Sequence, residues 1–230
     1  MATLILGAIE EELSEFRRNL CGREERRWNA LSISLGVLSD KKVIVAGTGV
    51  GKTMSALATQ YLIDQFAPER IFFVGIAGGL NSGLSIGDVV VATDSIQHDL
   101  DARAAGFELG QVPLSPYREI PSDPELVESA MGFEASGFRI IKGRILTGDQ
   151  LISRRGDGRR DYLAGELRGD AVEMEGASVG LVALVNRIPF LLMRVISDRA
   201  MGGDRVDFKK FLPIASERTY RIICHVLSGG

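Results

Sequence analysis

The chain alternates short apolar runs with segments of helical periodicity, and this alternation restricts the folds that it can adopt. Several runs are rich in Val and Ile without intervening polar residues, which is typical of strands covered on both faces. The runs that we predict to be strands are 3–6, 31–38, 42–47, 70–75, 88–94, 139–148 and 189–197. The segments that we predict to be helices are 10–18, 53–66, 124–131, 175–186 and 208–227. The alternation predicts an α/β fold, a twisted sheet covered by helices, with residues 1–230 as a single domain.

Composition and charge are those of an ordinary globular protein, with 45% hydrophobic and 25% charged residues. The net charge of -3 gives no electrostatic basis for binding nucleic acid or an anionic membrane, so we expect neither as a partner. The two Cys, at 21 and 224, lie far apart, and with only two His besides they are too few for a disulfide framework or a Cys/His metal site. We see neither a secretory signal nor an apolar stretch of about 18 residues, and therefore expect a cytoplasmic protein.

One loop, AGTGVGKT at 46–53, is close to a nucleotide-binding motif. It differs from G-x-x-x-x-G-K-[ST] by one methyl group, at Ala46, and it lies between a predicted strand and a predicted helix, as the motif requires. The residues that follow the predicted strands, where ligands of α/β sheets bind, are however largely acidic. They include Glu12, Asp149, Glu173, Glu175 and Asp198. A triphosphate site needs cations and a carboxylate-held magnesium, so we disfavour an ATPase.

Seven motifs together resemble a known family. They are GAIEEE (7–12), GTGVGK (47–52), GIAGGL (75–80), HDLDARAAGFELGQVP (98–113), ILTGD (145–149), VEMEG (172–176) and RVISD (194–198). In this order and spacing the chain resembles the 5′-methylthioadenosine/S-adenosylhomocysteine nucleosidases of the nucleoside phosphorylase superfamily. The resemblance covers essentially the whole chain and implies a twisted mixed central sheet with helices on both faces. It also implies that the AGTGVGK loop is a turn beside a ribose pocket.

The resemblance implies hydrolysis of the N-glycosidic bond of 5′-substituted adenosines, with release of adenine. Adenine leaves poorly as an anion and the sugar becomes oxocarbenium-like, so the reaction needs an acid at the base and a carboxylate that activates water. By motif, Asp198 corresponds to the general acid at adenine N7 and Glu12 to the general base. Arg194 and Glu175 correspond to residues that hold the water, and Glu175 also to one that binds the ribose hydroxyls.

The substrate-binding set that the resemblance implies is Ala77, Gly78, Leu151, Ile152, Met174, Glu175, Arg194, Phe208, Phe107 and Pro113. In it, Met174 would lie against the sugar, the backbone of 151–152 would contact adenine, and Phe208 would stack on the base. Phe107 and Pro113 correspond to residues that line the 5′-alkylthio pocket of a neighbouring subunit. This implies a homodimer in which the 97–121 loop, which is poor in periodicity, reaches the neighbouring site. No metal and no organic cofactor is implied.

Taken singly, these residues have ordinary structural interpretations. Acidic residues at 10–12 favour a helix N-terminus, and Glu173 and Glu175 would suit a solvated first turn. Asp198 would suit an N-cap or turn, and Met174 would suit a core. Arg194 is different, because a charge in a strand buried on both faces must be paired or functional.

The chain departs from the family pattern at a few positions. Ile76 stands where the family usually has Ser, and Leu151 replaces a common Phe. Ala105 and Arg103 lie in a loop that usually reads D-V-T-A-F-G. These changes leave the predicted acid and base intact, but they affect the predicted pocket for the base and the 5′ group.

Four alternatives stay open. A futalosine-type nucleosidase acts on a bulkier 5′ group that carries a carboxylate, which Arg103 would favour, and a 5′-deoxyadenosine hydrolase fits the same residues. A phosphorylase is disfavoured because the acidic residues at 10–12 would repel phosphate. A non-catalytic nucleoside-binding protein is disfavoured because Glu12, Asp198 and Arg194 are all present.

Overall fold

The structure, a computed structural model, describes residues 2–152, 161–200 and 207–229. Its strands are β1 (Thr3–Gly7), β2 (Cys21–Trp28), β3 (Leu31–Leu38), β4 (Lys41–Gly47), β5 (Arg70–Phe73), β6 (Ile76–Gly79), β7 (Val89–Gln97), β8 (Ile120–Pro121), β9 (Ile140–Thr147), β10 (Ala171–Glu173) and β11 (Phe190–Arg199). They form one sheet in the order β2-β3-β4-β1-β5-β11-β6-β10-β9-β7-β8. Parallel pairs, such as β1 with β4 and β5, coexist with antiparallel pairs, such as β3 with β4, so the sheet is mixed, as expected.

The long strand β11 joins the two halves of this sheet. Its first residues pair with β5, the last register pair being Leu192 with Phe73. Further along, Val195 pairs in parallel with Ile76 of β6, and the same stretch pairs antiparallel with β7. As a result β11, β6, β10, β9 and β7 follow one another in a closed circuit of pairings. The change of partners in the middle of β11 opens a crevice, the kind of position at which α/β folds bind ligands.

In the described residues, six α-helices cover the sheet: α1 (Ser14–Arg18), α2 (Lys52–Phe66), α3 (Pro124–Met131), α4 (Asp161–Ala164), α5 (Gly176–Val185) and α6 (Phe208–Leu227). Side chains of α1, α3 and α6 share one apolar cluster, and those of α2 and α5 share another. The strands contribute to both clusters because successive side chains point to opposite faces. On β1, Ile5 belongs to the first cluster, whereas Leu4 and Leu6 belong to the second. The prediction of helices on both faces is confirmed.

The predicted elements with a clear hydrophobic pattern match the structure, and the elements that sequence analysis missed lack such a pattern. Strand β2 (CGREERRW) is exposed along nearly its whole length and carries no apolar face. Strands β6, β8 and β10 have four residues or fewer, and so does α4. The helix predicted at 10–18 begins as a 3₁₀ helix, Glu10–Leu13, before α1.

The 97–121 segment is largely irregular, as predicted, with a short 3₁₀ helix at Arg103–Ala105 and β8 at its end. Within the described ranges, no helix combines the length and the apolar character needed to cross a membrane.

Candidate active site

A cavity of about 210 Å³ lies at the crevice beside β11. It is lined by most of the residues that sequence analysis selected: Glu12, Ala77, Gly78, Leu151, Ile152, Met174, Glu175, Asp198 and Phe208. Arg194 lies behind this lining and contacts it through Glu173. Phe107 and Pro113 are not among the lining residues of this cavity; Phe107 is half-buried and Pro113 is exposed.

Glu12 is held at the cavity wall by backbone donors. It lies in the 3₁₀ helix after β1 and is only 5% exposed. Its Oε2 accepts hydrogen bonds from the N–H groups of Ala8 (2.8 Å) and Ile9 (3.2 Å), and its Oε1 accepts one from Ile76 (3.0 Å). A side chain at Gly75 would overlap this carboxyl group, so the close approach requires glycine. Burial raises the pKa of Glu12, and the nearby Arg194 and the three N–H donors offset this only in part.

A buried ion pair joins β10 to β11. Arg194 and Glu173 lie 2.7 Å apart (Nη2 to Oε2), with their side chains 1% and 3% exposed. Glu173 also accepts hydrogen bonds from the Gly176 N–H (2.8 and 2.9 Å) and from the Thr147 hydroxyl. The guanidinium stacks on the ring of Phe73, 4.2 Å from its centroid. Sequence analysis predicted that Arg194 is paired or functional, and the structure shows that it is paired.

Sequence analysis missed Glu173 as a site residue. Its interpretation as part of a solvated first turn is wrong, because α5 begins at the inner end of the cavity and both Glu173 and Glu175 are buried there. The sequence feature that pointed to such a residue is Arg194, because a charge in a buried strand must be paired or functional. A buried cation needs a carboxylate of matching burial, and the VEMEG motif supplies one.

Glu175 is the N-cap residue of α5 and reaches across the cavity to the AGTGVGK loop. Its Oε1 accepts a hydrogen bond from the Gly51 N–H at 2.9 Å. Burial, followed by repulsion from Glu173, raises the pKa of Glu175 to about 8. Arg194 lowers this pKa, but its charge is already shared with Glu173.

The AGTGVGKT loop, which resembles a nucleotide-binding loop, holds carboxylates where such a loop would hold phosphate. The Gly51 N–H donates to Glu175, and the Lys52 N–H donates to Asp149 Oδ1 at 2.8 Å. The Lys52 ammonium pairs with Asp99 Oδ1 at 2.6 Å. These donors are therefore engaged by the protein itself, which agrees with the prediction that the loop is not an ATP site.

Asp198 lines the cavity near the end of β11. A β-bulge between Ile196 and Asp198 interrupts the register with β6 and turns the side chain that follows it. The Ser197 hydroxyl donates to Asp198 Oδ2 at 2.9 Å, and the side chain is half-buried. Gly78 on β6 lies close to it: a Cβ at that position would lie 3.4 Å from Asp198 Oδ1 and only 2.9 Å from the Cβ of Ala200.

The remaining lining is mostly apolar. Ile152 is buried and Met174 is half-buried, whereas Leu151 and Phe208 are 75% and 44% exposed. Exposed apolar side chains beside a cavity with convergent polar groups are typical of a site for a ligand with a flat apolar part.

The raised pKa of Glu175 makes stability depend on pH. The folded protein keeps this proton up to about pH 8, whereas the unfolded chain releases it near 4.5, the ordinary value. Between about pH 4.5 and pH 8 the folded state therefore binds more protons than the unfolded state. The stabilisation that protonated Glu175 gives to the folded state is complete below about pH 4.5 and is lost as the pH rises through about 8. We expect Glu175→Gln to remove this loss of stability. Between mildly acidic and alkaline pH, the free energy of unfolding of the variant should therefore rise relative to that of the wild type by about 1 kcal/mol or more.

Urea unfolding of both proteins across this pH range measures the difference. Glu134→Gln, at an exposed glutamate, is the matched control and should follow the wild type. Parallel pH profiles for wild type and Glu175→Gln would contradict the proposed burial of a protonated Glu175.

Comparison with known proteins agrees with this site. The model of the phosphorylase superfamily matches residues 2–228. A 5′-methylthioadenosine/S-adenosylhomocysteine nucleosidase of Geobacillus kaustophilus is 33% identical over 232 residues, which cover 99% of this chain and 97% of the relative.

Among solved structures, the nucleosidase of Neisseria meningitidis in complex with methylthio-immucillin-A has a TM-score of 0.90 and 30% identity. The similarity covers 100% of this chain and 99% of that one. A futalosine hydrolase mutant of Helicobacter pylori has a TM-score of 0.89 and 29% identity, with 100% of both chains covered. By the similarity of relatives along nearly its full length, this chain belongs to the 5′-methylthioadenosine/S-adenosylhomocysteine nucleosidase family of the phosphorylase superfamily.

Proposed function

We propose that this chain hydrolyses the N-glycosidic bond of 5′-substituted adenosines, methylthioadenosine and S-adenosylhomocysteine above all, and releases adenine. The observation that carries the proposal is that Glu12 and Asp198 line one cavity. Glycoside hydrolysis needs two carboxyl groups in separate roles, one that activates water and one that protonates the leaving group. Both are present here in settings that differ in burial and in hydrogen bonding.

Glu12 is the general base in this proposal. Three backbone donors fix the orientation of its carboxyl group, so it does not have to reorganise when it takes a proton from water. Burial raises the pKa of Glu12, and a base of raised pKa accepts a proton more readily.

Asp198 is the general acid at adenine N7. The Ser197 hydroxyl donates to one of its oxygens, and Asp198 lines the cavity in which adenine would lie. Adenine would lie between the apolar side chains of Ile152 and Phe208, with backbone groups of 151–152 contacting its edge. Met174 would lie against the sugar, and Glu175 would accept hydrogen bonds from the ribose hydroxyls.

The electrostatics of the cavity favour a cationic transition state. Glu12, Glu173 and Glu175 line the cavity, and Arg194, which approaches them, is already paired with Glu173. An oxocarbenium-like sugar gains from carboxylates here, since charge that develops in a low-dielectric site is stabilised by fixed opposite charge. Glu175, whose pKa is raised to about 8, adds negative charge only in its ionised form.

The same arrangement disfavours phosphorolysis. Three cations on the elements around the cavity have carboxylate partners. Arg17 pairs with Glu10, Lys52 with Asp99, and Arg194 with Glu173. Phosphate requires unengaged arginines or amides, so water is the nucleophile that this site accommodates better.

Arg103 does not favour the futalosine-type alternative as the sequence alone suggested. Its guanidinium binds Asp101 through two hydrogen bonds of 2.9 and 2.7 Å, and Glu166 lies 3.9 Å away. A cation engaged in this way is a poor receptor for a substrate carboxylate. The likeness to a futalosine hydrolase mutant keeps that activity as the second candidate.

The proposal includes a homodimer. Phe107 and Pro113 do not line the cavity of their own chain, although their motif matches residues of a 5′-alkylthio pocket. In a homodimer, the 97–121 loop of one subunit would bring both residues to the cavity of the other subunit. We further propose that the protein acts in the cytoplasm.

The substrate is tested by adenine release from methylthioadenosine, S-adenosylhomocysteine, 5′-deoxyadenosine and aminofutalosine. We expect the first two to be the best substrates and Arg103→Ala to leave their turnover within about twofold, since a surface ion pair contributes little. Release from aminofutalosine alone, lost in Arg103→Ala, would overturn the preference in favour of the second candidate.

The two catalytic roles are tested by isosteric substitution. Glu12→Gln and Asp198→Asn each remove a proton-transfer group and should lower kcat by about a hundredfold or more. Glu134→Gln and Asp64→Asn make the same chemical changes at exposed positions and should keep wild-type activity. Circular dichroism confirms that each variant is folded. Activity near that of the wild type in a folded Glu12→Gln or Asp198→Asn variant would refute the role assigned to that residue.

A further inference from the structure

The Gly-Lys-Thr loop contains a lysine that the proposed reaction does not use. Lys52 begins α2, and its side chain is 18% exposed. A cation at the first position of a helix is unfavourable, because the N-terminus carries a partial positive charge. Its presence there therefore calls for a compensating interaction.

Lys52 is part of a closed ring of hydrogen bonds between three loops. Its ammonium binds Asp99 Oδ1 at 2.6 Å, at the start of the 97–121 segment. The other oxygen of Asp99 accepts the Asp149 N–H at 2.8 Å, and Asp149 Oδ1 in turn accepts the Lys52 N–H at 2.8 Å. All three contacts are as short as charge-assisted hydrogen bonds usually are.

The ring fixes the backbone at the point that holds Glu175. Gly51, next to Lys52, has a φ of +91°, a conformation that favours glycine, and lies so close to Asp149 that a Cβ would come within 3.0 Å of its Oδ1. In this conformation the Gly51 N–H points at Glu175 Oε1, 2.9 Å away. A change in the turn would move the donor and release the carboxyl group.

We propose that Lys52 is a positioning residue: through Asp99 and Asp149 it holds the Gly51 amide against Glu175, and so orients Glu175 for the ribose hydroxyls. This inference rests on the proposed function, in which Glu175 binds the ribose. The loop that resembles a phosphate cradle thus serves to hold a carboxylate of the sugar site.

The test separates positioning from a general effect on folding. Binding is measured by calorimetry with a carbon-linked methylthioadenosine analogue, whose base–sugar bond cannot be hydrolysed, and with the same compound lacking the ribose hydroxyls. Wild type should prefer the hydroxylated analogue. Lys52→Met, which keeps most of the side-chain volume, should reduce this preference about tenfold, as expected when a hydrogen bond is no longer aligned. Lys52→Arg should restore part of it.

The control is Lys42→Met, an exposed lysine near the opposite end of β4, which should keep the wild-type preference. In the double variant Lys52→Met/Glu175→Gln the preference should be no lower than in Glu175→Gln alone, because the lysine acts through the glutamate. Additive losses would overturn the inference, and so would a wild-type preference in Lys52→Met.

The two proposals fail in different ways. Suppose that wild-type protein releases adenine and that Glu175→Gln loses the preference for the hydroxylated analogue. If Lys52→Met then keeps the wild-type preference, the role of Lys52 is refuted and the proposed function is not. If wild-type protein releases no adenine from any of the four nucleosides named above, the proposed function fails, and the inference that depends on it fails with it.

Discussion

The buried ion pair between Arg194 and Glu173 is the interaction on which the rest of the site depends. It lies where β11 leaves β5 and joins β6, so it links the two halves of the sheet. Loss of one partner from such a pair leaves an uncompensated buried charge, at a cost of about 3–5 kcal/mol. Because Glu173 also accepts from the first N–H of α5, the pair fixes the start of that helix and the position of Glu175.

Arg194 and three carboxyl groups, those of Glu12, Glu173 and Glu175, set the chemistry of the cavity. Since Glu173 neutralises Arg194, Glu12 and Glu175 have raised pKa values, and burial is the larger cause for both. Backbone N–H groups partly compensate this burial: three for Glu12, and that of Gly51 for Glu175. The site therefore concentrates negative and protonatable groups where a sugar cation would form, and Arg194 beside them is already paired with Glu173.

Sequence analysis predicted those parts of the molecule in which burial leaves a periodic pattern. The bounds of β3, α3 and α6 agree with the prediction because these elements alternate or repeat apolar residues regularly. Sequence analysis missed strand β2 because this strand is held by pairing with β3 and not by burial of an apolar face. The pairing of Arg194 followed from the cost of a buried charge, but its partner did not, because Glu173 ends a three-residue strand whose position depends on the fold.

The same limit explains the AGTGVGKT loop. Its local pattern satisfies a phosphate-binding motif, and only tertiary contacts show that Glu175 and Asp149 engage its amides. Most of the residues selected from the motifs line one cavity, although Arg194, Phe107 and Pro113 do not. The order of the motifs along the chain carries family information that no single residue does. Their individual roles depend on distances that the sequence does not contain.

The most direct test of the account is the dependence of methylthioadenosine cleavage on phosphate. Adenine release is followed with phosphate absent and with phosphate in large excess, and phosphorus NMR of the products reports any sugar 1-phosphate. The account predicts one rate of adenine release in both conditions and a free sugar as the only other product. A rate that requires phosphate, with formation of the sugar phosphate, would contradict the assignment of water as the nucleophile and of the acidic cavity as a hydrolytic site.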